Sequence, residues 1–322
     1  MTNKTFEESL HSSLFEPLGL DRTSLEAPKN KSNAAIPGNE TASWWDVTLA
    51  GASSYGGMFS TAADLTTLGQ SVLRSSILTT NETRAWLKTL SHTSELQMSI
   101  RMPWEIRPVL LPISSKSNKT RVVDLYTKNG MLGLYSAIFL SPDHDFGFVI
   151  LLASESSGLD IWSVLPSLMT DTLLPAIEEA TREEARKRFV GSYKSANGKL
   201  EVRVDRDLPG LSVRSWTRGK VDVLKTFEMA LGMGSGGLRL YPSGLEGNGK
   251  IRFRGVYENE REVPIPGSVD PWVDLCMSWG GVDSLKYGGI GIDDFEFELD
   301  GGGKATGIRP RAWRETLARV TK

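Results

Sequence analysis

Tyr126-Thr127-Lys128-Asn129-Gly130-Met131 places a lysine, a small polar residue and a glycine between two apolar, strand-like runs. Upstream stands Val122-Val123-Asp124-Leu125-Tyr126. Downstream come Leu134 to Leu140 and Phe146 to Ala153, joined by the turn-forming Pro142-Asp143-His144-Asp145. Runs rich in β-branched and aromatic residues, punctuated in this way, predict an antiparallel meander. The last run is apolar throughout, the pattern of a strand buried on both faces.

Helical patterns lie on either side of this meander. Phe6, Leu10 and Leu14 recur at helical spacing, and Thr5 with Glu8 has the form of a capping box, so a helix opens the chain and stops near Pro17-Leu18-Gly19. The following stretch reads as loop, with Pro28, Pro37 and the pair Trp44-Trp45, which either lines a groove or anchors the loop. Thr61 caps a second helix, Asp64 favours its positive end, and Leu65, Leu68 and Val72 form its apolar face. Gly56-Gly57, just before it, imply a tight backbone approach. A third helix covers Glu82 to Leu90, after which Trp104-Glu105-Ile106 and Pro108 return the chain to irregular or extended structure. Asp160 to Arg188 is helical, apolar early at Ile161, Val164, Leu165 and Leu168 and charged late, with Pro166 and Pro175 marking breaks or kinks.

After Phe189 the pattern shifts to short alternating segments such as Leu200-Glu201-Val202-Arg203-Val204 and Phe295-Glu296-Phe297-Glu298-Leu299, separated by Pro209-Gly210, Asn248-Gly249 and Gly301-Gly302-Gly303. Such alternation predicts an all-β second domain. The reading is therefore of two domains, residues 1–188 and 189–322, joined by a charged helix end.

Composition narrows the function. Lys plus Arg number 37 against 39 Asp plus Glu, a net charge of -2, which gives no electrostatic reason to expect a nucleic acid or an anionic membrane as partner. No apolar run approaches the roughly 20 residues that cross a bilayer, and Met1-Thr2-Asn3-Lys4 leads into an amphipathic helix rather than a signal peptide, so a soluble chain is expected. The one cysteine, Cys276, excludes an internal disulfide and a cysteine-based metal site. Five Asn-x-Ser/Thr sequons, at Asn3, Asn30, Asn39, Asn81 and Asn118, point to a family of secreted proteins.

A lysine at a strand edge, followed by a small residue and a glycine, suits acyl transfer. Its ammonium holds a substrate carboxylate or assists proton transfer near a nucleophile, and the glycine lets substrate lie against the backbone. The amide of Met131, just beyond, can donate to a developing oxyanion. The three histidines, His11, His92 and His144, are scattered and accompanied by no Gly-x-Ser-x-Gly elbow, which argues against a Ser-His-Asp triad. Asp293-Asp294 and Asp300-Gly301 lack the spacing of a calcium loop and read as turns. No metal or cofactor is expected.

Several blocks occur in order: Pro17-Leu18-Gly19-Leu20 with Thr23, Gly56-Gly57-Met58-Phe59-Ser60-Thr61-Ala62-Ala63-Asp64-Leu65, Tyr126-Thr127-Lys128-Asn129-Gly130, Gly133-Leu134-Tyr135-Ser136 and Ser141-Pro142-Asp143. Through them, residues 1 to 180 resemble the serine β-lactamase and penicillin-binding-protein-like family, in its class C-like branch. The details are most similar to secreted fungal β-lactamase-like proteins with an additional β-rich C-terminal domain. The resemblance implies an α+β fold, a β-lactamase/transpeptidase-like antiparallel sheet flanked by helices, followed by an all-β barrel- or sandwich-like domain. It also implies that Lys128, Asn129 and Gly130 stand for the family's Lys-Thr/Ser-Gly triplet beside the active site. Asn129 replaces the usual hydroxyl residue, and an amide cannot make the same contact to a substrate carboxylate.

The family's nucleophile lies in Ser-x-x-Lys and its second base element in Tyr-x-Asn or Ser-x-Asn, both upstream of the first matched block. No Ser-x-x-Lys occurs in the 322 residues, and Tyr257-Glu258-Asn259 and Ser195-Ala196-Asn197 match the second pattern only by letters and in the wrong order. The resemblance thus implies a family fold that is incomplete at its N-terminus, a truncated product. Its Phe146 to Ala153 strand would lose a neighbour and leave an edge for pairing with another chain. Two functions follow. One is an acyl-transfer serine hydrolase scaffold, inactive as it stands, for a small ester, amide or lactam-like ligand. The other is a non-catalytic binding protein, a pseudoenzyme, that keeps the cleft beside the Lys128 strand and uses the β domain for interaction.

Overall fold

The structure is a computed structural model that describes residues 3–41, 43–45, 47, 49–114, 119–131, 134–155, 159–206, 208–231, 237–258 and 277–321. Asn118, Asn259 and Cys276 lie outside the described residues. The chain divides into two compact units, Met1–Leu111 with Arg121–Leu174, and Pro112–Thr120 with Pro175–Lys322.

In the first unit, among the described residues, six strands form one antiparallel sheet in sequence order. They are β1 (Ser91–His92), β2 (Ser99–Arg101), β3 (Trp104–Pro112), β4 (Thr120–Met131), β5 (Leu134–Ser141) and β6 (Phe146–Ala153). The meander is thus as expected, and Tyr126 to Met131 is the second half of one long strand. Neighbouring strands β3 and β5 flank β4 on both sides, so Lys128 sits on an interior strand and not at a sheet edge. β6 departs from its reading as a strand buried on both faces. None of its residues is fully buried and Leu151 is 44% exposed, although Val149 and Phe146 pack against the two core clusters; β5 is its one strand neighbour in the described sheet. An apolar run alone does not distinguish a covered strand from an uncovered one.

The helices form where their caps allow. Thr5 and Glu8 make a reciprocal capping box at α1 (Phe6–Leu10). A π-helical turn at His11–Phe15 leads into α2 (Glu16–Leu18), which Gly19 ends at φ 65, a left-handed conformation that favours glycine. Thr61 caps α3 (Ala62–Leu73) by accepting from the Asp64 amide at 3.2 Å. Asp64 does more than favour the helix start: its Oδ2 accepts from the Arg22 amide at 3.0 Å and from Thr23 Oγ1 at 2.7 Å. Thr23 Oγ1 also lies 2.9 Å from Ser60 Oγ, so two blocks far apart in sequence are stapled together. The third helix, α4 (Thr80–Trp86), starts earlier than expected, because Glu82 is the third residue of a capping box with Thr79 rather than the first of the helix. Of the tryptophan pair, Trp45 is the anchor, 7% exposed and edge-on to Phe59, while Trp44 is exposed.

The sheet is covered on both faces. Val72, Leu87, Trp104, Ile106, Ile138 and Leu140 form one cluster, joined by Tyr126, and Leu111, Val123, Leu125 and Leu174 form another. Leu174 belongs to α5 (Leu159–Phe189), which is a single helix of 31 residues. Pro166 and Pro175 do not break it, since packing of residues such as Leu174, 1% exposed, offsets the hydrogen bonds that two prolines remove.

The second unit decides between barrel and sandwich. Its strands are β7 (Gly191–Lys194), β8 (Gly198–Val204), β9 (Leu211–Arg218), β10 (Val221–Asp222), β11 (Gly237–Gly247), β12 (Lys250–Glu258), β13 (Lys286–Tyr287), β14 (Ile290–Gly291), β15 (Asp294–Leu299), β16 (Ala305–Pro310) and β17 (Leu317–Arg319). Eight of them pair in the order β9-β11-β12-β15-β16-β17-β7-β8, and β8 pairs back onto β9, which closes an antiparallel barrel. An eight-stranded barrel is narrow enough for side chains to fill. Tyr193, Leu200, Val202, Leu240, Phe295, Phe297 and Ile308 do so, each without exposed surface. The unit is not purely β: α6 (Val223–Leu231) adds Val223 and Phe227, one helical turn apart, to the barrel core. Asp293 lies in the turn before β15, as expected, whereas Asp294 opens that strand, and both are buried partners of arginines, Asp293 of Arg254 and Asp294 of Arg252 and Arg311; Asp300 forms a turn too, accepting from the Gly302 and Lys304 amides at 2.9 Å.

Candidate active site on strand β4

Alternation builds β4. Val123, Leu125 and Thr127 are buried at every second position, and the buried Thr127 hydroxyl donates to the Glu105 carbonyl at 3.0 Å. Past Thr127 the strand turns polar. Lys128 is half-exposed, and its ammonium lies 3.2 Å from Glu105 Oε1 and donates to the Asn129 carbonyl at 2.9 Å. The Asn129 side-chain amide donates to Glu105 Oε2 at 2.6 Å. One carboxylate thus engages both polar side chains of the triplet. An exposed ion pair contributes about 0.2–1 kcal/mol. Both contacts are hydrogen bonds to the same carboxylate, and the one from Asn129 is the shorter and the less exposed.

Glu105 carries no mark of function in the sequence. It stands between Trp104 and Ile106, buried to 5% and 1% exposure, so the strand fixes its backbone. A charged residue between two core positions is the available signal, but its partner depends on strand pairing, which the local sequence does not encode. Gly130 is paired with Ser136 on β5, and a Cβ there would meet Ser136 Oγ at 2.7 Å, so the hairpin itself favours glycine. Met131 ends β4 opposite Tyr135 with its side chain 68% exposed, beside the hairpin tip. Burial, with Asp124 and Asp143 adding to it, pushes the Tyr126 phenol up to about 12, and burial with Asp143 raises the Asp124 carboxyl. Tyr126 is therefore a neutral wall of this strand at physiological pH.

The histidines stand apart from the Lys128 strand's polar cluster. His11 contacts Glu16 at 3.2 Å and His92 contacts Ser99 at 3.0 Å, both exposed. The fold does join a serine to a histidine: Ser141 Oγ lies 2.7 Å from His144 Nδ1, with Arg121 3.3 Å from Nε2. Ser141 is 1% exposed, so this hydroxyl braces the β5–β6 turn and offers nothing for a substrate to approach. Ser195 is likewise a turn residue, its Oγ accepting from the Gly198 amide at 2.8 Å. Among the described residues no cluster of His, Cys, Asp and Glu is arranged to hold a metal, and no helix is long and apolar enough to cross a membrane.

A helix-flanked antiparallel sheet with a Lys-Asn-Gly strand, followed in sequence by a β-barrel, is a β-lactamase-like architecture. The N-terminal region is of the beta-lactamase family: the family model described as Beta-lactamase matches residues 1–160, and that described as Beta-lactamase-like-like, C-terminal domain, matches residues 181–321. Among its relatives, the Beta-lactamase-like protein of Arthroderma benhamiae is 28% identical, with 93% of this chain and 54% of that protein covered. Probable hydrolase clz13 of Cochliobolus lunatus is 25% identical (98% and 52% covered), and Probable hydrolase M10 of a Phoma species is 24% identical (93% and 51% covered). The chain spans about half the length of these curated relatives.

Proposed function

We propose that this chain provides the lysine strand of an acyl-transfer serine hydrolase and that it forms no acyl-enzyme by itself. The observation that supports this reading is the half-exposed Lys128 ammonium on an interior strand, next to the backbone of Asn129 and Gly130. In this role a small ester, amide or lactam lies along β4. Lys128 assists proton transfer or holds the acyl group, Gly130 permits close approach, and the Met131 amide donates to the developing oxyanion. A nucleophile of the Ser-x-x-Lys kind is absent from the 322 residues, so the chemistry needs a serine from outside them.

Incubation with a fluorophosphonate serine probe, followed by intact mass measurement, is expected to leave the mass of the chain unchanged. A stable stoichiometric adduct overturns the inactive reading. Lys128→Ala is expected to weaken reversible binding of a penicillin methyl ester by at least about tenfold, read by calorimetry.

The same reading gives β6 a role as a pairing edge. Its eight apolar residues lie at the margin of the described sheet with one strand partner, the arrangement that invites another chain. Leu151→Lys places a charge on this margin and is expected to lower concentration-dependent self-association in sedimentation velocity. Unchanged association would remove β6 from the account. Asn3, Asn30, Asn39 and Asn81 are all exposed, which supports a surface of secretory descent.

A further inference from the structure

We propose that Glu105 makes the Lys128 strand selective for acyl groups that carry no carboxylate. This rests on the reading of β4 as the substrate strand and specifies what that strand accepts. An ammonium on such a strand is suited to receive a substrate carboxylate, but here that capacity is already used. Glu105 Oε1 faces Lys128 Nζ at 3.2 Å, and Oε2 accepts from the Asn129 amide at 2.6 Å. The pair sums to zero charge.

The Glu105 backbone is fixed, and its carboxylate leaves only by giving up the Lys128 and Asn129 donors. Its neighbours Trp104 and Ile106 are buried, and its carbonyl accepts from the buried Thr127 hydroxyl at 3.0 Å. An incoming carboxylate must therefore either displace the Glu105 side chain from two donors or stand beside a like charge. A neutral ester or amide meets neither obstacle. Of the three Lys128 N–H donors, one points to Glu105 and one to the Asn129 carbonyl, which leaves one for an uncharged carbonyl oxygen.

The test compares benzylpenicillin with its methyl ester, two ligands that differ in one charge, by calorimetric titration of the full chain. The wild type is expected to bind the ester at least about tenfold tighter than the acid. Glu105→Gln is expected to strengthen acid binding until the two agree within about threefold, with ester binding little changed, while Glu105→Asp keeps the preference for the ester. Equal binding of both ligands by the wild type, preference for the acid, or an unchanged ratio in Glu105→Gln would overturn the proposal.

Lys128→Met separates the two readings. If it weakens ester binding while the wild type shows no charge preference, the substrate strand stands and the role of Glu105 falls. If it changes neither affinity, or if no chain binds either ligand, both fall. Should Glu105→Gln fail to fold, the ratio in the wild type still decides.

Discussion

Replacing Arg239 by alanine is expected to destabilise the β-barrel by about 3–5 kcal/mol, the range for breaking a buried ion pair by removal of one partner. Arg239 is 1% exposed, the largest of the fully buried side chains. Its guanidinium pairs with Asp205, donates through Nε to the Pro209 carbonyl at 2.9 Å and reaches the Gly210 carbonyl at 3.3 Å. Alanine leaves the Asp205 carboxylate with the more exposed Arg214 and strips the Pro209 carbonyl of its donor. Native-state hydrogen exchange at β11 amides, followed against urea, reads the loss within the barrel alone. A change below about 1 kcal/mol, the scale of a surface pair, would show that the ion pair is not what holds the β8–β9 connection.

The same pair gives the barrel an acid limb. Burial by itself would raise the Asp205 carboxyl, but Arg239 and then Arg214 outweigh it and hold it below its ordinary value. A carboxyl lowered by folding stabilises the native state above the unfolded value, about 3.9, and loses that contribution as pH falls through the lower folded value. Barrel stability is therefore expected to fall below about pH 4, and this slope is expected to weaken in Arg239→Ala.

Phe297→Ala is expected to cost about 3–5 kcal/mol, the range for deleting a buried aromatic ring. Phe297 has no exposed surface and lies at the centre of an aromatic group, its ring 4.9 Å from Phe189, 5.2 Å from Phe253 and 6.0 Å from Tyr193. These partners come from α5, β12 and β7; β12 pairs directly with the ring's own strand β15, while β7 stands three strands away, so the ring packs across the barrel interior. Leucine at 297 restores much of the volume and is expected to lose less than alanine. Met229→Ala, at a position on α6 that is 83% exposed, is expected to stay within about 0.5 kcal/mol. Comparable losses for Phe297→Ala and Met229→Ala in the same exchange experiment would contradict a packed barrel interior.

Local signals were the readable part of this fold. Thr5 with Glu8, Thr61 with Asp64 and the turn Pro142 to Asp145 act within a few residues of one another, and each lies where its pattern points. Period-two alternation at Leu200 to Val204 and Phe295 to Leu299 likewise marks strands with one buried face. Non-local outcomes were not readable. The exposure of β6 depends on what stands beside it, the continuity of α5 on the sheet that Leu174 packs against, and the choice of barrel over sandwich on one pairing, β8 with β9.

The candidate site divides along the same line. Lys128, Asn129 and Gly130 are conspicuous in the sequence because a charged residue, an amide and a glycine interrupt a strand pattern, and ordered neighbouring blocks link them to a family. Their chemical state was decided by tertiary structure. Glu105 lies 23 residues from Lys128 along the chain, and only the pairing of β3 with β4 puts its carboxylate against that ammonium and the Asn129 amide. The sequence by itself thus determined which residues punctuate the strands and where the lysine strand lies, since those are properties of neighbours along the chain. Whether that lysine stands as a free cation or as half of an ion pair was settled by strand pairing, because charges act through space and not through sequence.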